Sequence, residues 1–310
     1  MGATVSKGEL FEPHLLQEIF NKVKGKSSIA NLSQQDPIPF NGTKEFTFSM
    51  DSEVDIVAEN AAKGNGGATI GAVTIVPLKV EYGARVSDEF LYASEEEAIS
   101  ILQAWTDGFA RKLARGIDLM AFHGINPRTR AASLIIGNNC FDKAVAATAI
   151  IEYSASAPDA CVDDALSVIQ GYEYEANGIV IAPAMRNDIA KMTVTGAKKY
   201  PEFAWGAVPA NLGQMRLDSN VTVSANGHND RAIVGDFQNA FKWGFAKELP
   251  LEIIEYGNPD NDATLGDLKG HNQVYLRSEA FVGWGILDPN AFALIQAKPS
   301  GATGATGANG

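Results

Sequence analysis

Apolar positions change period along the chain, and the changes mark its parts. In "FEPHLLQEIFNKV" the residues Leu15, Leu16, Ile19, Phe20 and Val23 recur at helical spacing, and Pro13 suits a first helical turn. Gly25 ends that helix, and "GKSSIANLSQQDPIPFNG" reads as extended, polar and broken by proline. A short amphipathic helix on such a tether cannot bury its face alone, so a neighbour is expected to cover it. The period then drops to two. "TKEFTFSM" sets Phe46 and Phe48 on one strand face, and "AVTIVPLKVEYGARVS" reads as a second strand, with Pro77 favouring an edge. Between them runs "AENAAKGNGGATIG", a glycine-rich tip carrying Lys63, Gly64 and Gly66. Together they predict a long two-stranded flap, marginal by itself in water.

The helical period returns in "SEEEAISILQAWTDGFARKLARGIDLMAFHG". Ser94 and Glu97 form a capping box, and acids fill the first turn, where the helix dipole favours them. Leu102, Trp105, Phe109, Leu113, Ile117 and Met120 recur on one face, and Gly124 and Pro127 end the run. A helix of about 30 residues spans roughly 45 Å, long enough to be the backbone of the molecule. From about 130 to 230 the pattern mixes helices ("PDACVDDALSVIQGYEYEA", "AMRNDIAKMT") with strands ("GIVIAP", "NVTVSA"). "RAIVGDFQNAFKWGF" reads as a hairpin turning at Gly235-Asp236 and Gln238-Asn239. "LPLEIIEYG" and "NQVYLRSEAFVGWGIL" are long strands around a polar loop, and "DPNAFALIQA" closes an α+β fold. The tail "GATGATGANG" has glycine at every third position. It is too short and too poor in proline for a triple helix, and reads as flexible.

Composition narrows the function more than the fold. The 310 residues are 45% hydrophobic and 20% charged, values of a chain with a packed core. A formal net charge of −12 opposes gripping a phosphate backbone, though not sitting beside DNA without adhering to it. Cys140 and Cys161 lack CxxC spacing and read as buried thiols in a reducing compartment. No secretion signal opens the chain, and no apolar run reaches the roughly 20 residues of a membrane span, so no membrane partner is expected.

The chemistry-bearing residues form no motif. His14, His123, His228 and His271 are scattered, without HExxH or zinc spacing, and His123 reads as an aid to a helix C-terminus. "GNGGATIG" misses GxGxxG at Thr69, and Ala72 and Val73 stand where a phosphate loop needs Lys and Ser or Thr. Asp51, Glu53 and Asp55 share a strand face that reads as solvated. Asp236, at the end of an apolar strand, is the acid best placed for catalysis, but no histidine or metal cluster accompanies it in the sequence. No catalytic residue, cofactor or metal is therefore expected.

The order of elements carries a resemblance. An arm, a flap, a long helix, a mixed domain and long returning strands resemble the major capsid protein of tailed bacteriophages, of the Hong Kong ninety-seven type. "VPLKVEYGARVSDEFLYAS", with Ser87 and Glu89, resembles that family's return strand running into its spine helix. "DLMAFHGINPRTRAASLI" resembles the end of the spine, and "IVIAPAMRNDIAKM" a strand–helix unit of the family. "AIVGDFQNAFKWGF", "LPLEIIEYG" and "VYLRSEAFVGWGILDPNAFALIQ" resemble its closing strands.

The resemblance implies an N-arm over 1–40 and an extended E-loop over 41–85. A P-domain would span 86–123 and 246–285, an A-domain 124–245 and 286–297, and a flexible tail 298–310. It implies a structural protein that self-assembles into pentamers and hexamers of an icosahedral shell around double-stranded DNA, in the virion, after assembly in the host cytoplasm. Its partners would be copies of itself, neighbouring capsomers, a separate scaffolding protein, a portal and a decoration protein. Leu15, Leu16, Ile19, Phe20, Lys63, Gly64, Gly66, Trp105 and Phe109 are the candidate assembly residues. Removing residues 1–30 is expected to leave folded subunits that build no regular particles. Some members crosslink a flap lysine to an asparagine; Lys63 is near the tip, but no acceptor matches, so non-covalent assembly is expected. An encapsulin-like nanocompartment shell and an acid-dependent hydrolase using Asp236 are the alternatives.

Overall fold

The computed structural model describes residues 27–50, 52–89, 95–247 and 251–298. Leu15, Leu16, Ile19, Phe20, Ser94 and the side chain of Glu97, and with these last two the capping box, lie outside what it describes. The chain first forms α1 (Ser28–Leu32), then β1 (Thr43–Met50), β2 (Ala68–Ile75), β3 (Leu78–Ser87) and the long α2 (Glu95–His123). Next come α3 (Phe141–Ala144), β4 (Ile150–Glu152), α4 (Pro158–Gln170), β5 (Gly178–Ile181) and α5 (Pro183–Lys191). The short strands β6 (Thr193–Val194), β7 (Ala197–Lys198) and β8 (Asn211–Leu212) precede β9 (Met215–Ser219). The last elements are β10 (Asp230–Gly235), β11 (Phe241–Lys247), β12 (Leu251–Ile254), β13 (Gln273–Ile286) and β14 (Phe292–Gln296).

Two sheets organise the molecule. The first has six strands in the order β4-β14-β10-β5-β9-β8. Ile179, Val180 and Ile181 of β5 are each 0% exposed. Successive strand residues face opposite ways, so both faces of this sheet are covered. α1 packs at β5 and β9, and α4 at β4, β10 and β14. In the second sheet β13 is central: β3 pairs along one side, and β11 and β12 follow one another along the other. Burial alternates residue by residue over the first nine positions of β13 and is then continuous through its last five. The strand therefore runs from a half-covered edge of the molecule into its core. α2 crosses this sheet, where Trp105 Nε1 donates to Ser278 Oγ at 2.9 Å and its ring lies 5.4 Å from that of Tyr82. α2 stops where expected: Gly124 takes φ +65 and its N–H returns to the Met120 carbonyl.

Four sequence readings are corrected. Residues 28–32, read as extended, form a helix, because Ser27 Oγ accepts from Ala30 N and caps it, and Ile29 and Leu32 enter the core. The strand read across Pro77 is two strands: β2 pairs with β1, and β3 leaves to pair with β13. Proline lacks the N–H that a continuous ladder would need there. "NVTVSA" is a series of turns, because Asn220 Oδ1 accepts from Thr222 N; the strand is the preceding "MRLDS". Finally, β10 and β11 are not a hairpin. β10 pairs with β5 and β14, whereas β11 pairs with β13 in the other sheet.

Candidate functional site

The surface most unlike that of a self-sufficient subunit is the β1–β2 hairpin. Its register sets Phe46 opposite Ala72, Phe48 opposite Ile70, and Met50 opposite Ala68. Directly opposed residues share a face, so Phe46, Phe48, Met50 and Ile70 make one apolar stripe. They are 73, 60, 75 and 69% exposed. Lys63, Gly64 and Gly66 sit in the exposed tip beyond the paired residues. At the base the hairpin is firmly seated. Ile75 is buried against Gly283 and Gly285 of β13, and a Cβ on Gly285 would come within 2.7 Å of Ile75 Cγ1. The apolar stripe thus projects from an anchored base, with no layer over it among the described residues.

Residues 34–38 lie across β11 in the same region. Asp36 N donates to the Trp243 carbonyl at 2.9 Å, and Ile38 N to that of Phe245 at 3.4 Å. Gly244 makes the passage possible, since a Cβ there would meet the Asp36 carbonyl oxygen at 1.7 Å. Just upstream, Asp118 of α2 holds the chain. This fully buried carboxylate accepts from Ser27 Oγ (2.6 Å), Ser28 N (3.1 Å), Ile29 N (3.3 Å), Asn220 Nδ2 (3.0 Å) and Thr222 Oγ1 (3.2 Å). Burial pushes its pKa up to about 7 against the pull of these donors.

Of the candidate assembly residues, Trp105 and Phe109 are committed within the subunit. Trp105 is half-buried on Ser278 and Tyr82, and Phe109, 4% exposed, belongs to the core. Their helical periodicity marked an internal face, which a repeat alone cannot tell from an external one. Asp236 is also settled. Its Oδ1 accepts from Gln238 N and Asn239 N, and Asn177 Nδ2 and Asn239 Nδ2 also donate to the carboxylate. It shapes the turn between the two sheets, at the margin of a shallow cavity of about 320 Å³ that it shares with Tyr174 and Asn177.

Sequence reasoning missed one constellation. His123 ends α2, Asp142 is in α3, and His228 and Asp230 lead into and begin β10. His123 Nδ1 lies 2.8 Å from Asp142 Oδ2 and 3.6 Å from Asp230 Oδ2; His228 Nδ1 lies 2.9 and 3.9 Å from the same two atoms. The imidazoles stack with centroids 3.9 Å apart. His123 Nε2 is 2.9 Å from the Thr222 carbonyl. Burial would lower the pKa of His123, but Asp142, the Thr222 carbonyl and Asp230 together raise it. Asp230 is pushed up to about 6 by burial and by the neighbouring charge of Asp142. These four residues could hold a cation. The one local sign of them in the sequence is His228-x-Asp230.

The sequence model of the phage capsid family matches residues 8–297. Among solved structures, a chain from Mycobacterium phage Ogopogo is similar at 29% identity and a TM-score of 0.75, over 88% of this chain and 92% of that one. A chain from Gordonia phage Cozz is similar at 22% identity and a TM-score of 0.72, over 88% and 87%. A third, described as the capsid of an empty GTA particle, is similar at 17% identity and a TM-score of 0.64, over 96% and 94%. No curated protein matches.

Proposed function

The chain belongs to the phage capsid family, and from that premise we propose how it builds a shell. It is a virion protein whose role is structural self-assembly. Its pentamers and hexamers close an icosahedral shell around double-stranded DNA. Residues 41–85 act as the E-loop, whose β1–β2 hairpin lays its apolar stripe on a neighbouring subunit. α2 is the spine of a P-domain (86–123 and 246–285), and the six-stranded sheet is the centre of an A-domain (124–245 and 286–297). Residues 1–40 form an N-arm, anchored from Ser27 onward by Asp118, and 298–310 form a tail.

The exposed stripe of Phe46, Phe48, Met50 and Ile70 on an anchored hairpin carries this reading. Two strands with an uncovered apolar face are marginal in water, and a neighbour's surface supplies the missing layer. The net charge of −12 suits a wall that contains DNA without gripping it. Assembly is non-covalent, and particles boiled in detergent run as one subunit-sized band. A separate scaffolding protein, a portal and a decoration protein complete the set of partners. The test is Phe46→Asp with Phe48→Asp. Subunits should keep the circular dichroism of the unaltered chain but yield no regular particles by negative-stain microscopy. Normal particles from this variant would exclude the hairpin as the contact.

A further inference from the structure

We propose that His123, Asp142, His228 and Asp230 form a binding site for one divalent metal ion of the zinc class, bracing the end of α2 against the six-stranded sheet. The inference is independent of shell assembly, because all four ligands come from one chain.

The donor geometry points to it first. A four-coordinate ion with bonds of about 2.0–2.1 Å to nitrogen and oxygen has ligand atoms about 3.3 Å apart along each edge. The four nitrogen–oxygen separations in the cluster, 2.8, 2.9, 3.6 and 3.9 Å, bracket that edge. One ligand atom from each residue lies within 4.8 Å of all the others. Two imidazoles and two carboxylates are a borderline donor set. Calcium and magnesium prefer an all-oxygen shell with more ligands.

The protons point the same way. A carbonyl can only accept, so His123 Nε2, 2.9 Å from Thr222 O, carries hydrogen. In neutral His123 the lone pair is therefore on Nδ1, directed at two carboxylate oxygens that are themselves acceptors. A cation between them turns that opposition into coordination. An imidazole whose other N–H is fixed by a backbone carbonyl is also the usual outer arrangement of a metal-bound histidine. Thr222 is held in turn, with its N–H on Asn220 Oδ1 and its hydroxyl on Asp118.

The carboxylates supply the independent sign. Asp230 is 1% exposed, and among the described residues its Oδ2 has no hydrogen-bond partner; Asp142 Oδ1 is likewise buried without one. A buried acceptor left unpaired costs about 1–3 kcal/mol, more when charged, so such atoms are rare without a reason. Both belong to the two acids that face the stacked histidines. Their two negative charges match a divalent ion, leaving the site neutral with both imidazoles uncharged.

The test uses the full-length chain, dialysed against a chelator and titrated with Co²⁺, then with Zn²⁺. One equivalent of Co²⁺ per chain should bind with the intense visible absorption of a four-coordinate site, and one equivalent of Zn²⁺ should bleach it. His228→Gln and Asp230→Asn, on different ligands, should each weaken Zn²⁺ binding by at least about 100-fold. Outer-shell partners alone are worth about 10–100-fold, and these variants remove direct ligands. Zinc should raise the melting temperature of the unaltered chain and leave that of either variant where it is without metal. Three outcomes would each overturn the proposal: a folded, metal-free chain that takes up no stoichiometric metal, the pale spectrum of a six-coordinate ion, or equal binding by the variants. The first would leave the cluster a proton-sharing His–Asp network.

Discussion

Gly244→Ala tests how the N-terminal segment is held on the body of the subunit. The new methyl would fall 1.7 Å from the Asp36 carbonyl oxygen and 2.9 Å from its carbonyl carbon. These are backbone atoms, with no rotamer to yield, so residues 34–38 must lift away from β11. That breaks the bonds from Asp36 N to Trp243 O and from Ile38 N to Phe245 O, worth about 1 kcal/mol each. It also uncovers Ile38, now 5% exposed, at about 1.5–3 kcal/mol. Replacing glycine within a strand returns about 0.5–1 kcal/mol. The net loss is about 3–4 kcal/mol, so the Asp36 and Ile38 amides should lose two to three decades of hydrogen-exchange protection. Gly108→Ala is the control: its Cβ enters open space inside α2, and protection at 36 and 38 should not move. Unchanged protection of both amides in Gly244→Ala would refute the docking.

Three further outcomes follow from the same contacts. Gly108→Ala itself should stabilise the chain by up to about 1 kcal/mol in urea unfolding, because alanine outranks glycine inside a helix and nothing crowds the site. Removing residues 1–33 should cost at least about 5 kcal/mol relative to removing residues 1–26. The longer truncation removes buried Ile29, Ala30 and Leu32 and leaves Asp118 without the Ser27, Ser28 and Ile29 donors. The expectation that a subunit lacking residues 1–30 stays folded then holds only at reduced stability; equal urea midpoints for the two truncations would reject this. Asp118 should also make stability pH-dependent. Its folded pKa of about 7 lies above an unfolded value of about 3.9, so the folded chain holds the proton more tightly. The Asp118 contribution to stability is fully present below about pH 4 and is lost as pH rises through 7, by up to about 4 kcal/mol. Asp118→Asn should flatten that part of the profile, and parallel profiles for the two chains would reject the assignment.

Period and punctuation alone determined much of this protein. The apolar repeat of α2 with its glycine stop, the alternation of β1 and β13, and the helices at 158–170 and 183–191 are local signals, written in neighbouring side chains and legible without a partner. The order of these elements was enough to show the family resemblance. Local pattern could not say which strand pairs with which. β10 and β11 adjoin in sequence yet enter different sheets, and Pro77 parts two strands that share one apolar run. Nor could it separate an inward face from an outward one. Phe109 and Phe48 both repeat correctly, but only packing buries the first and exposes the second. Asp118 and the His123–Asp230 cluster lay furthest beyond reach. The Asp118 donors lie 89 to 104 residues away and Asp230 lies 107 from His123, and hydrogen bonds and coordination act over a few ångströms of space, whatever the length of chain between.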